Sequence, residues 1–416
     1  MDNDQIVTPT RAVAAKKFNY NSLIEQFGLN LISTDLIKRL EEVIGHKAHY
    51  LLRREIFFAH QDFDKIIEAK AAGKEVYIYT GRGPSAEALH LGHLISMMLS
   101  VWLQKIFDCW VVIEMSDEEK YYFKDGTLED YMSYTESNAK DIIACGFNPS
   151  KTFIFSSLKY EHYMRPIIAK INKKMSVHTT NKIYGFGEEV NIGQVSWASY
   201  QMAPAYCGAF PHIFGDRRDV MCIIPMAVDQ TPYFRAARDF SESLGYPKPA
   251  MICSKFLVGL QGINEKASTT GDIPPIFLCD TYQMITDKIK KYAFSGGGAT
   301  LKEHRTHGGN LAVDIPYIYL YHFLDNDDEL HYIEETYSTG KMLTSEIKRR
   351  LIDELIRILD NHRVTKSMIT TDIYNNYFSI NVQQNAAEYF LKYYDRYLNI
   401  SVKYILECKN QMEVTN

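Results

Sequence analysis

The sequence predicts an α/β protein built on a doubly wound parallel sheet and followed by a separate all-helical unit. Three observations predict it. Residues 75 to 123 read as strand, glycine-rich turn, amphipathic helix and buried strand. Strand and helix patterns go on alternating as far as PAMICSKF, and beyond about residue 281 only helical patterns remain. Parallel strands need a crossover of helix length between them, so this βαβ text fixes the pairing as parallel.

Taken in order, residues 1–70 carry an irregular arm, VTPTRAV, whose proline and lack of periodicity exclude only a helix. Helical text such as DLIKRLEEVIG follows, placed to cover one side of the sheet. EVYIYT is rich in β-branched and aromatic residues and is read as a strand. Pro84 and Ser85 announce the next helix, whose apolar face is drawn by Leu89, Leu94, Met97, Met98, Val101 and Trp102. DCWVVIEM returns as a strand, EDYMSYTESNAKDIIACG as a helix, and KTFIFSS and VMCIIPMA as strands. DQTPYFRAARDFSESLG is a helix before the strand PAMICSKF. A sheet wound in this way takes its ligands at the carboxyl ends of its strands. DTYQMITDKIKKYAF, DIPYIYLYHFL and TSEIKRRLIDELIRILDNHR are helices joined by polar turns. The expected division is 1–70, 71–280 and 281–416, drawn from element type, since no repeat or linker marks it.

Composition bounds the function. The 416 residues exceed one domain of roughly 150 residues. With 46% hydrophobic and 23% charged residues the chain has material for full cores and is not a disordered polymer. Seven scattered cysteines without a C-x-x-C pair argue against a disulfide framework or zinc ribbon and suit a reducing compartment. The opening MDNDQIVTPT lacks a basic start before an apolar segment, and no stretch reaches the roughly 18 apolar residues of a membrane span. A cytoplasmic protein without a membrane partner is expected. A net charge of −5 speaks against a protein coated in positive charge for nucleic acid, while leaving room for a local basic face.

Two short motifs carry chemistry. His90-Leu91-Gly92-His93 stands at the start of the helix after the first strand of the βαβ unit, where free N–H groups and a positive dipole end attract phosphate. Both histidines are expected to face that anion, and Gly92 to let a nucleotide approach the backbone. The competing readings are a helix cap made by the two rings, and a zinc pair, for which the spacing and further ligands are lacking. Much later, Lys266-Ala267-Ser268-Thr269-Thr270 lies in a polar stretch after the last strand. A lysine and hydroxyls on such a loop suit clamping of a polyphosphate during transfer; a plain solvated loop is the alternative.

These two motifs resemble the paired signatures of class I aminoacyl-tRNA synthetases. The longer text resembles the eukaryotic-type tryptophanyl-tRNA synthetase family, from about FNYNSLIEQFG to LDNHR. It is carried by YTGRGPSAEALHLGHL, DEEKYYFKD, NAKDIIACGF, KTFIFSS, VDQTPYFRAARD, YPKPA, KEHRTHGGN and MLTSEIK. The resemblance implies a Rossmann-type catalytic domain and a helical anticodon-binding domain. It implies ATP-dependent activation of L-tryptophan, assisted by Mg²⁺, then transfer to the 3′-terminal ribose of tRNA(Trp). It implies His90, His93, Lys266 and Ser268 as catalytic residues, with Arg82, Gly83, Gly92 and Lys120 as further ATP contacts. Tryptophan would meet Tyr79 and Glu114 at its indole N–H, and Glu119, Gln201 and Gln230 at its polar end. A symmetric homodimer is implied, with the aromatic-rich segment from about 120 to 215 as contact. In the last unit Lys341, Lys348, Arg349 and Arg350 are candidate tRNA phosphate contacts, or a solvated helix face.

Three departures from the family pattern stand out. Position 114 is Glu where Gln is expected, and an ionised Glu114 would accept the indole N–H in a charge-assisted bond. The loop reads Lys-Ala-Ser-Thr-Thr where Met follows the lysine in relatives. Gly298 and Ala299 replace an Arg and Asp, so anticodon reading would use other residues. A tyrosine-activating relative, a small nucleotidyltransferase and a catalytically silent binding protein are the alternatives. An indole needs only an acceptor where a phenol needs both donor and acceptor.

Overall fold

The computed structural model describes residues 5–8, 12–14, 18–187, 189–264, 266–268 and 273–380. Thr269, Thr270 and the part of the 281–416 unit beyond 380 lie outside the described residues. The arm forms a two-stranded antiparallel hairpin, β1 (Gln5–Val7) with β2 (Ala12–Ala14). The Ala14 N–H donates to the Asn264 carbonyl at 3.2 Å, which joins the arm to the loop before Lys266.

The main sheet has seven strands, β3 (Asn30–Leu31), β4 (Phe57–Gln61), β5 (Val76–Arg82), β6 (Trp110–Met115), β7 (Thr152–Ser156), β8 (Met221–Ala227) and β9 (Ala250–Ser254). Their spatial order is β3-β4-β9-β8-β5-β6-β7. The five strands from β9 to β7 are parallel, as the sequence predicts. The N-terminal region differs from expectation: β3 and β4 extend one edge antiparallel, so the sheet is mixed. β4 escapes a sequence reading because its first four residues are all buried and show no alternation.

Side-chain alternation splits the core between two faces. Val76 and Ile78 of β5, with Val111 and Ile113 of β6, point to one cluster; Tyr77, Tyr79 and Val112 point to the other. The first face is covered by α1 (Thr34–Ile44), α2 (Leu91–Phe107) and α3 (Leu128–Ile143). The second is covered by α4 (Ser157–Lys174), α5 (Ile192–Met202) and α6 (Thr231–Leu244). Pro84 and Ser85 do not open α2, which begins at Leu91 with His90 as its N-cap. Residues 83 to 90 stay a loop because Asn138 of α3 donates to the carbonyls of Ala86 at 2.8 Å and Glu87 at 3.2 Å.

Among the described residues, helical elements alone follow Thr281, which caps α7 (Tyr282–Tyr292). They include α8 (Ile315–Phe323) and the 24-residue α9 (Thr344–Ser367). Their buried residues, among them Ile285, Tyr319 and Leu351, continue the cluster that covers the first face of the sheet. Arg53 and Arg54 tie the N-terminal region to this half through Asp327, at 2.6 and 2.7 Å. Gly298 packs so closely that a Cβ there would meet the His304 backbone nitrogen at 2.5 Å.

Candidate active site

Parity along the parallel pair builds the floor of the site. Tyr79 pairs with Val112 and Gly81 with Glu114, so Tyr79 and Glu114 are diagonal neighbours on one face. The Tyr79 hydroxyl donates to Glu114 Oε2 in a very short bond, and Gln201 Nε2 donates to the same hydroxyl oxygen at 2.8 Å. Phe234 stands edge-on to the Tyr79 ring, centroids 5.8 Å apart. Glu114 is fully buried, and its Oε1 has no partner among the described residues. Burial, then the neighbouring carboxylates, pushes its pKa well above the usual carboxylate range despite the Tyr79 hydrogen bond. An ionised Glu114 is therefore disfavoured while no donor faces Oε1. The neutral acid has an alternative arrangement in which Oε2 donates to Tyr79 and the tyrosine turns its own O–H to the Gln201 carbonyl at 3.3 Å. In either arrangement Oε1 is left as an acceptor.

Above the floor, His90 and His93 do not use the helix end as anticipated. His90 Nδ1 accepts the Gly92 N–H at 3.1 Å, and His93 Nδ1 faces the His90 N–H at 3.3 Å. The Leu91 N–H goes to the Ile276 carbonyl at 3.0 Å and that of His93 to the His90 carbonyl at 2.9 Å. The helix-cap alternative is thus realised, and these backbone donors are already engaged. Gly92 is small for the ring's sake: a Cβ would stand 2.9 Å from His90 Cε1. Burial, with help from Arg82 and Lys266, lowers the His90 pKa to about 3, and burial and nearby cations hold His93 well below its usual value. Both rings are neutral. With Nδ1 occupied as an acceptor, His90 carries its proton on Nε2 and offers an N–H, not a charge, to a phosphate oxygen.

Five cationic side chains line the cavity, Arg82, Lys120, Lys124, Lys255 and Lys266, and three of them bear on the argument. Arg82 donates Nε to Asn138 at 3.2 Å and places Nη1 2.9 Å from His93 Nε2. Its Nη2 is buried with no partner among the described residues. His93 therefore meets N–H groups at both nitrogens, and a neutral ring accepts from only one. Lys120 pairs with Glu119 at 2.9 Å and lies across Gly83, where a Cβ would meet Lys120 Cε at 2.0 Å. Lys266 Nζ rests on Asp229 Oδ2 at 2.6 Å. Asp229, buried at the end of β8, was missed by the sequence reading; its place beside Gln230 after a strand was the available signal. Phe234 and Asn138 were missed as well, since an aromatic and an amide on helix faces carry no motif.

Every residue assigned from sequence to ATP, tryptophan or catalysis lines one cavity of about 490 Å³ at the carboxyl ends of β5, β6, β8 and β9. That group includes Gly83, Gln230 and Ser268. Among the tRNA candidates, Lys341 and Arg349 are exposed and Lys348 is half-buried. Arg350 is engaged with Glu329 and, at 2.9 Å, with Glu354. No group of three or more His, Cys, Asp or Glu side chains converges on a metal position among the described residues.

A parallel-dominated sheet with this cleft at the carboxyl ends of its strands suits a nucleotide-using enzyme, and the family model for class I tRNA synthetases (W and Y) matches residues 70–360: the chain belongs to that family. Its relatives lie on the tryptophan side. The cytoplasmic tryptophan–tRNA ligase of Rattus norvegicus is 46% identical over 365 residues, covering 87% of this chain and 76% of the relative. That of Dictyostelium discoideum is 43% identical, covering 91% and 96%. The solved tryptophanyl-tRNA synthetase of Plasmodium falciparum superposes with a TM-score of 0.82 at 41% identity, covering 88% and 96%. A tryptophan-bound synthetase of Encephalitozoon cuniculi gives 0.82 at 36%, covering 88% and 99%.

Proposed function

We propose that this chain activates L-tryptophan with ATP and transfers it to the 3′-terminal ribose of tRNA(Trp), in the cytoplasm. One observation carries the reading: a single cavity joins a buried floor with an unpartnered acceptor, Glu114 Oε1, to a mouth lined by Arg82 and four lysines. An indole needs an acceptor alone, which this floor offers; the Tyr79 hydroxyl is already given to Glu114 and itself receives one Gln201 amide N–H.

In the first step a carboxylate oxygen of tryptophan attacks the α-phosphorus of ATP and pyrophosphate leaves. A carboxylate is already a nucleophile, so the protein supplies alignment and charge compensation and no general base. The His90 Nε2–H, Arg82 Nη2 and Lys120 serve the phosphates from one side, and Lys266 with Ser268 from the loop. In the free chain Lys266 and Lys120 are held by Asp229 and Glu119, and a polyphosphate competes for both lysines. Mg²⁺ would arrive with the nucleotide and supply further charge neutralisation for the leaving pyrophosphate, since no cluster among the described residues is built to hold it alone. In the second step the ribose hydroxyl attacks the carbonyl carbon, AMP leaves, and the hydroxyl proton passes to water. Exposed Lys341 and Arg349 remain the candidates for tRNA phosphate.

The same reading makes the chain a homodimer that pairs through the 120–215 segment, where the apolar side chains of Ile192 and Val177 are exposed. The first experiment is tryptophan-dependent exchange of labelled pyrophosphate into ATP, without tRNA. Exchange with tryptophan and not tyrosine is expected, reduced about 10²–10³-fold in Lys266→Ala. Exchange with tyrosine instead, or none with either, rejects the assignment.

A further inference from the structure

We propose that Asp141 is a positioning residue for the turn that carries His90, and that the helical half of the chain sets it through His362 and Lys366. The inference rests on the assignment of ATP to the cavity mouth. Asp141 is 1% exposed, on α3. Its Oδ2 accepts the Leu89 N–H at 3.3 Å, one residue before His90. Its Oδ1 accepts His362 Nε2 at 3.0 Å and Lys366 Nζ at 2.7 Å, both from α9. One turn earlier on α3, Asn138 holds Arg82, Ala86 and Glu87. Two polar residues at i and i+3 on a single helix thus grip the whole loop from β5 to α2.

The same turn of α9 reaches the other side of that loop. Arg363 Nη1 donates to the Asp280 carbonyl at 2.6 Å. The Asp280 carboxylate takes the Phe277 N–H at 3.0 Å and Lys288 Nζ at 2.6 Å. Phe277 in turn bridges His90 in antiparallel fashion, flanked by Leu278 N–H to Leu89 carbonyl at 2.8 Å. Residues 362 to 366 therefore hold both strands of the bridge on which His90 sits.

Burial raises the pKa of Asp141, but His362 and Lys366 outweigh it and the group stays an anion. A buried carboxylate that loses one of its donors keeps the Lys366 charge but is left with an unsatisfied lone pair, and it moves toward other partners or water. Its hydrogen bond to Leu89 moves with it. None of Asp141, His362 and Lys366 lines the cavity, so their effect on ATP passes through the turn.

The test uses the full chain and calorimetric Kd values for Mg-ATP and for tryptophan, measured separately in wild type, His362→Ala and His362→Gln. His362→Ala is expected to weaken ATP about 10-fold while tryptophan stays within about twofold, since a displaced turn misplaces only the phosphate contacts. His362→Gln, which keeps a donor near the Nε2 position, restores ATP binding. ATP affinity unchanged in His362→Ala, or equal weakening of both ligands, overturns the inference. Pyrophosphate exchange on the same preparations reports separately on the function: wild type that binds ATP and does not exchange rejects the adenylation reading, while the two Kd values still decide the role of Asp141. Wild type that fails to bind ATP overturns both.

Discussion

Glu114 concentrates the chemistry of the floor. Its carboxyl lies in a fully buried place where the ionised form is penalised, yet Oε1 waits for a donor in both proton arrangements. An indole N–H bound there stabilises the anion more than the neutral acid, so tryptophan binding lowers the Glu114 pKa and releases a proton. Because the folded-state pKa is raised, deprotonation comes with rising pH, and tryptophan affinity should climb in that direction. The gain is about fivefold, from the difference of about 1 kcal/mol between a charge-assisted and a neutral hydrogen bond. Asp117, Glu118 and Glu119 of the following helix face Glu114 and oppose its ionisation, while Tyr79 favours it. In Glu114→Gln the climb should vanish, leaving only the titration of the ligand's own amino group. Parallel pH profiles for the two proteins, measured by calorimetry, would refute a titrating Glu114.

Among the elements, the segment between α7 and α8 shows how backbone approach dictates residue choice. Gly308 has φ of +73°, and a Cβ there would stand 1.7 Å from the Ser338 carbonyl oxygen. Gly308→Ala therefore combines a left-handed backbone with a clash against main chain, and should lower stability by about 2 kcal/mol or more in a denaturant melt. A melt indistinguishable from wild type would mean that this tight crossing relaxes at little cost. Gly298 is similarly crowded, a Cβ there standing 2.5 Å from the His304 backbone nitrogen. The α2 start teaches the converse: Pro84 and Ser85 are good helix-opening residues, but Asn138 claims the next carbonyls and the helix waits for His90.

For the molecule as a whole, the helical half shares one continuous cluster with the first face of the sheet, so it is bound to the catalytic half by core packing as well as by polar contacts. Ile192 and Val177 stand on the opposite, second-face side, in the segment assigned to self-association. Ile192→Asp places a charge in that surface and should shift sedimentation from dimer to monomer, with no change in far-UV dichroism. A wild-type chain that sediments as a monomer at all concentrations would reject the dimer.

Much of the site was legible in the sequence because its residues sit at strand ends or in motifs whose positions follow from local periodicity. His90, His93, Tyr79 and Lys266 could be placed from the β-then-helix pattern and the resemblance it carried. The five parallel strands were legible for the same reason. Only the tertiary structure decided that Tyr79 and Glu114 share a face and a hydrogen bond, because that depends on register between two strands. It also decided that the histidines cap α2 with Nδ1, and that Lys266 rests on Asp229. The link from Asp141 to His362 spans 221 residues. Sequence periodicity records which way a side chain faces within its own element; which partner it then meets is set by how the elements pack.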